Sequence, residues 1–433
     1  AIYLLLFISL IGCIVPRLVS HAKGLRRQPP RVPARLDRLA AHASMTTSAS
    51  AAEVSQRAQQ WLTSHRYRFV VDDDGSLRAE AGRHRETGNL VFHIFLVFVL
   101  VGVGWNTLWG FKGTSVVVEG QGFSNSITQY DEFKAGAMVD TDNLTPFSMK
   151  LRKFVVSFET GTVQRGAARS FDATVDLTMG GKTQTRDLQV NHPLRIGSTK
   201  VHLLGHGYAA DVVVRDGDGK VAYSGPVVFL PQDANFKSVG VIKVPDARPD
   251  RLAFQGFFLP TGAITAGGPT SLFPDALNPQ LYLTAWYGKP TVETGVPSNI
   301  YTLDTTGLTQ VTNGKDKARF VLSPGQRYKL PDGKGSIQFN GWQRWAKIQV
   351  SQNPGLPLTF LSVVLSVAGL CVSLFSRSRR VWVRTIPGDD GLRVEIGGLD
   401  RSDSRSGAVD DVNSLLAALH GDSMSGDVGE EHS

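Results

Sequence analysis

One histidine, His93, sits inside an apolar run, residues 90–108 (LVFHIFLVFVLVGVGWNTL), about one helical turn from its polar end. An ionisable side chain at membrane depth is costly. It ordinarily faces a partner group or a cavity, which makes His93 the first candidate for function. A neutral imidazole in apolar surroundings suits an iron porphyrin as an axial ligand. It equally suits an interfacial role, reaching the head groups or bonding a neighbouring helix. The residues alone leave both readings open.

A second group of histidines, His192, His202 and His206, lies in NHPLRIGSTKVHLLGHGY. His202 and His206 are an even number apart, so on one regular strand they would share a face. A zinc ion would want a third or fourth ligand of firm geometry, and no cysteine or carboxylate motif nearby supplies it. Gly205 and Gly207 beside His206 suggest a bulge or tight turn, so these histidines read as structural. The two cysteines, Cys13 and Cys371, fall in apolar runs, and the chain has neither a CxxC nor a CxxCH motif. They read as small apolar residues of membrane helices. Without the motifs the chain performs no thiol exchange through its large polar segment and attaches no haem to itself covalently. Trp105 and Trp109 end the 90–108 run, and Trp342 and Trp345 precede the next, where aromatic rings commonly anchor a helix at the interface. No catalytic triad, phosphate loop, zinc-protease helix or paired-carboxylate signature is present. The pattern favours a membrane assembly or binding protein over an enzyme.

The elements that position these residues are set by three apolar runs, 1–15, 90–108 and 358–375, each near the length needed to cross a bilayer as a helix. The first has neither an initiator Met nor a basic segment before it, and reads as a span whose beginning lies upstream. Arg17, Lys23, Arg26, Arg27, Arg31, Arg35 and Arg38 follow it. Arg83, His84 and Arg85 precede the second, and Arg377, Arg379, Arg380 and Arg384 follow the third. Lys and Arg cluster at cytoplasmic span ends, and all three clusters agree. The expected layout is a span at 1–16, a cytoplasmic basic loop at 17–89, a span at 90–110, an extracytoplasmic domain at 111–357, a span at 358–375, and a cytoplasmic, largely disordered tail at 376–433. The net charge of +8 is thus topological, and nucleic acid is not an expected partner.

Within the basic loop, residues 53–65 have helical spacing, followed by two short strands at 67–71 and 77–81 around an Asp-rich turn. The segment 111–357 alternates in short stretches, at 115–119, 153–158 and 171–177. Gly180-Gly181 turns the chain into 184–190. Asp216–Gly219 and Pro331-Asp332-Gly333 mark two more turns. Long helical periods are absent there, which predicts an all-β domain of sandwich or open-barrel type. Residues 259–279, rich in Gly and Pro, are expected as a loop near a binding surface. The tail from 401 onward is expected to be disordered apart from a short helix at 412–420.

The span and its exit, GNLVFHIFLVFVLVGVGWNTLWGFKGTSVVVEGQGFSN, resemble the ResB family of cytochrome c biogenesis proteins. So do VNHPLRIGSTKVHLLGHGYAADVVVRDGDGK, FPDALNPQLYLTAWYG and GWQRWAKIQVSQNPGLPL, followed by the last span and SRSRRVWVR. The similarity runs from the first span to about Arg401, and members usually carry one further span upstream. The resemblance implies a multi-pass protein of the bacterial plasma membrane acting in the system II route of cytochrome c maturation. There a polytopic ResC- or CcsA-like partner and the ResB protein carry haem b across the membrane and present it to apocytochrome c, with a thioredoxin-like reductant acting indirectly. By similarity His93 matches the membrane histidine on the ResB side, an axial ligand to haem. No catalytic residue and no metal beyond haem iron is implied. A membrane-tethered sensor or scaffold with an extracytoplasmic ligand-binding β domain is the alternative that the residues allow.

Overall fold

The computed structural model describes residues 2–290, 301–389, 391–400 and 407–420, and the chain divides into two compact units, 1–105 with 355–433, and 106–354. Among the described residues there are five α-helices: α1 (Ile2–Arg26), α2 (Ala51–Ser64), α3 (His84–Trp109), α4 (Leu356–Phe375) and α5 (Gly407–His420). Three of them, α1, α3 and α4, are long and apolar enough to cross a membrane. The protein is a membrane protein with a large β-rich region. The helices outrun the apolar stretches: α1 continues past 16 through Pro16 and the basic residues to Arg26, and α3 begins at His84 rather than 90.

In the first unit α3 and α4 pack through small residues, which let two backbones approach closely where no hydrophobic effect drives association. A Cβ on Gly88 would stand 2.6 Å from the Gly369 carbonyl oxygen, and one on Gly369 would stand 2.8 Å from the Phe92 nitrogen. Ser362 and Ser366 are buried in the same seam, and the Ser366 hydroxyl donates to the Phe92 carbonyl at 3.2 Å. Gly369→Val is therefore expected to force the two helices apart, at a cost of about 2–3 kcal/mol. A lower melting temperature of the detergent-purified variant checks this, with the exposed Val367→Ala as control.

The rest of that unit is a five-stranded antiparallel sheet in the order Ala41–Thr47, Gly391–Asp400, Arg379–Gly388, Leu77–Ala81, Arg68–Val71. The helix and hairpin expected in the 17–89 loop are present, but the hairpin forms one edge of a sheet that later residues complete and the helix lies on its face. α2 and α5 cover one face, burying Val54, Ala58 and Leu62 with Val412, Leu415 and Leu419 against Val381, Val383, Val394 and Ile396. Ser50 and Glu53 form a reciprocal capping box that starts α2. α5 is tied down by Asp411, whose carboxylate accepts from the Tyr67 hydroxyl at 2.6 Å and from Arg379 at 2.7 Å. Desolvation, then the Asp411 hydrogen bond, pushes the Tyr67 pKa up. The expectation of a largely disordered 376–433 is thus corrected for 379–389 and 391–400, while the short helix expected at 412–420 is present as α5, which begins five residues earlier. The alternating V-W-V of 381–383 drives a buried strand face there, while the Asp-, Ser- and Gly-rich composition belongs to the segments farther on. Residues 401–406 and 421–433, on which the rest of that expectation falls, lie outside the described residues.

The second unit is built on two 17-residue strands, Thr199–Arg215 and Ser336–Gln352, paired antiparallel along their lengths. They sit inside a large sheet in which Val221–Pro231, Ser238–Val244, Arg251–Leu259 and Gln280–Gly288 follow on one side, and Phe111–Val118 and Glu132–Ala135 on the other. A separate four-stranded sheet runs Gly122–Ser124, Ser148–Phe158, Ala168–Met179, Lys182–Gln189. Its apolar face, including Phe154, Val175 and Leu188, shares a core with Val201, Ile348 and Val350 of the long strands. Farther along the same strands a second core gathers Tyr208, Phe229, Phe254, Phe258 and Phe339. Gly180 and Gly181, both at positive φ, make the tight turn between Ala168–Met179 and Lys182–Gln189 that an L side chain would strain. The Pro331-Asp332-Gly333 turn also stands where the sequence puts it, between paired strands. The 259–279 segment departs from expectation: it holds a two-stranded hairpin, Gly262–Thr265 with Gly268–Ser271.

Candidate membrane-helix imidazole site

His93 lies on α3, on the side that meets α1. Its Nδ1 is 2.7 Å from the Asn89 carbonyl oxygen one turn back. A carbonyl only accepts, so the ring donates from Nδ1. A neutral imidazole in that tautomer keeps its lone pair on Nε2. This is the arrangement by which proteins orient a metal-ligating histidine: one nitrogen held by an acceptor, the other left to coordinate. The neighbouring Phe92 ring meets the imidazole edge-on at 5.0 Å between centroids.

α1 and α3 hold a crevice of about 440 Å³ between them, and His93 lines it together with Leu6, Leu10, Cys13 and Leu96. That volume falls in the range of small-molecule and cofactor sites. The crevice is bounded by ties between the helices at both ends. The Tyr3 hydroxyl donates to the Leu100 carbonyl, and at the other end His21 Nε2 lies 3.0 Å from the Thr87 hydroxyl. The residues fit an iron porphyrin: an apolar lining, one pre-oriented nitrogen ligand, and Arg17 at the rim.

Of the remaining candidates, none joins this site. His192 is exposed at a turn, its Nδ1 3.3 Å from the Val190 carbonyl. The ladder between the long strands slips by one residue between Leu203 and Gly205. That bulge reverses the alternation, so His202 and His206 point to opposite faces and the shared face expected of them is lost. His206 is buried, stacked on Phe236 at 4.6 Å with Phe171 at 5.2 Å. Burial, with the Arg344 guanidinium adding to it, lowers its pKa to about 4. Among the described residues no group of three His, Cys, Asp or Glu side chains is placed to hold a metal ion. Trp342 and Trp345 are not interfacial anchors either. Trp345 is 3 % exposed, its indole N–H directed at the Tyr208 and Phe229 carbonyls at 3.0 and 3.2 Å. Gly207 is needed beneath it, because a Cβ there would overlap the indole ring. The anchor reading assigned by proximity to the last span what belongs to the β core; Trp105 and Trp109 remain exposed.

The sequence reading missed three neighbours of His93. Asn89 was legible as the i−4 residue of a helical histidine. Cys13 and Arg17 were not, because nothing in one sequence shows which face of α1 meets α3. The sequence model of the ResB-like family matches residues 1–409. The chain belongs to the ResB-like family. Among relatives of this ResB-like chain are proteins named cytochrome c biogenesis protein CcsB. The one from Synechococcus sp. (strain JA-3-3Ab) is 22% identical over 72% of this chain and 55% of its own length. That from Microcystis aeruginosa is 20% identical over 76% and 60%, and that from Picosynechococcus sp. is 28% identical over 31% and 27%. The ResB-like chain thus spans little more than half the length of the relatives it matches over most of its own.

Proposed function

We propose that this protein is the ResB-side component of a system II complex that matures cytochrome c. With a ResC- or CcsA-like polytopic partner it carries haem b, its cargo, across the membrane for covalent attachment to apocytochrome c, with a thioredoxin-like reductant keeping the apoprotein thiols reduced. The observation that carries this reading is the pre-oriented imidazole of His93 opening on an apolar crevice. His93 would supply a nitrogen to the iron through Nε2, the Asn89 carbonyl holds the ring, and the leucines of α1 and α3 would give the porphyrin apolar contact. Membership of the family and the names of the relatives support the process. Basic clusters at the span ends support the orientation: residues 17–89 and 376–433 cytoplasmic, 111–357 extracytoplasmic. The β domain then serves as a platform for apocytochrome or for the partner's external loops.

The test is an absorption spectrum of this chain copurified with its partner, against the chain alone. A Soret band with the α and β bands of a low-spin, bis-nitrogen haem is expected from the complex. A complex that purifies intact, repeatedly, without haem from haem-replete cells overturns the assignment.

A further inference from the structure

Arg17 is the one cation that lines the crevice holding His93, and it has no ion-pair partner among the described residues. It stands on the opposite helix, about one turn nearer the basic ends than His93. The ties Tyr3–Leu100 and His21–Thr87 set the register of the antiparallel pair and place Cys13 across from His93, with Arg17 one turn, roughly 6 Å, farther along α1. Ser9, Cys13 and Arg17 follow each other at four-residue steps and share the crevice-facing stripe of α1. The other polar groups near this level are already engaged: His21 with Thr87, and Asn89 through its carbonyl with His93. At the polar edge of the apolar stretch, a guanidinium that meets no carboxylate of this chain among the described residues can take an anion held in the crevice. Its planar fork matches a carboxylate in bidentate fashion. One wall of the crevice thus offers a neutral nitrogen ligand and the other an unneutralised cation, an arrangement suited to a ligand with a metal at its centre and carboxylates at its edge.

We propose that Arg17 is a specificity-determining residue that binds a propionate carboxylate of the haem whose iron His93 ligates. The inference rests on the haem reading above and adds to it a chemical distinction: the site recognises the acid edge of the porphyrin as well as the metal. Arg17 also orients the porphyrin, turning the carboxylate edge toward the basic ends of the helices and the vinyl edge toward Leu6 and Leu96. Topology does not depend on it, because Lys23, Arg27, Arg31, Arg35 and Arg38 remain beyond it.

The experiment titrates this chain, purified in detergent, with iron protoporphyrin IX and, separately, with its dimethyl ester, following the Soret band. Wild type is expected to prefer the diacid by roughly ten-fold, the size of one charge-assisted hydrogen bond. Arg17→Gln is expected to erase that preference and leave diester affinity and band positions unchanged. Arg17→Lys is expected to restore part of the preference. Equal diacid preference in wild type and Arg17→Gln, with binding abolished by His93→Ala, overturns the role of Arg17 and leaves the haem reading standing. Unchanged diacid binding in both Arg17→Gln and His93→Ala overturns the haem reading itself. An unaltered elution profile and melting temperature for each variant guards against misfolding.

Discussion

His93→Ala is expected to lower the haem content of the purified complex by at least about ten-fold and to shift its spectrum from low spin toward high spin. The imidazole is the crevice's pre-oriented nitrogen, with Nδ1 committed to the Asn89 carbonyl and the lone pair left on Nε2. Alanine removes the ligand without disturbing the helix, because alanine favours helical backbone and the site faces a crevice rather than a packed core. Two companions make the result specific. His93→Gly with added imidazole is expected to recover the low-spin bands, since the small molecule can occupy the vacated volume. Asn89→Ala keeps the backbone carbonyl and so is expected to leave the spectrum close to wild type, which separates the carbonyl from the Asn89 side chain as the orienting group. A wild-type spectrum for His93→Ala would remove the histidine from the haem path.

The second large effect lies in the β domain. Lowering the pH from 7 to 5 is expected to destabilise it by about 2 kcal/mol through His206 alone. The sign follows from burial. The folded-state pKa is depressed to about 4, against about 6.5 for a free histidine. Between those values the unfolded chain binds the proton and the folded chain does not. Stability attributable to this group is therefore intact near neutrality, falls as pH drops below about 6.5, and stops falling below about 4. The cause is visible: the ring is held among Phe154, Phe171 and Phe236, and its Nδ1 has no hydrogen-bond partner among the described residues. Urea unfolding followed by the fluorescence of Trp342 and Trp345 at both pH values measures it. His206→Phe is expected to flatten the dependence while keeping the aromatic packing. Asp131, whose pKa desolvation raises, contributes with the opposite sign. Only the difference between wild type and variant therefore isolates the histidine. A wild-type and a variant curve that run parallel would show the proton binding elsewhere.

Much of this was legible in one sequence, for identifiable reasons. Uninterrupted apolar length marked α1, α3 and α4, because lipid tolerates few other patterns. Local turn chemistry placed Gly180-Gly181 and Pro331-Asp332-Gly333, because positive-φ requirements act over two or three residues. His93 was visible because an ionisable group in such a run contradicts its surroundings. What was hidden depends on contacts between distant residues. The pairing of 379–388 with 77–81 is invisible to any local pattern, so those residues were placed in the disordered tail, whereas the local pattern of 412–420 did mark its helix. The bulge between Leu203 and Gly205 inverts a face by one residue, and a count of even spacings misses it. Arg17 was read as a topological charge, because its place opposite His93 depends on how α1 and α3 pack.

The interleaved sheet of the first unit imposes an order of events on biosynthesis. Ala41–Thr47 leaves the ribosome long before its partner strand, Gly391–Asp400, exists, and Leu77–Ala81 likewise waits for Arg379–Gly388. Until α4 has been inserted, these early segments stand with bare edges, the condition that proteases and chaperones recognise. Closure of the sheet therefore reports that the intervening residues have been made and both flanking spans delivered. A chain that stalls before residue 379 carries the mark of its own incompleteness.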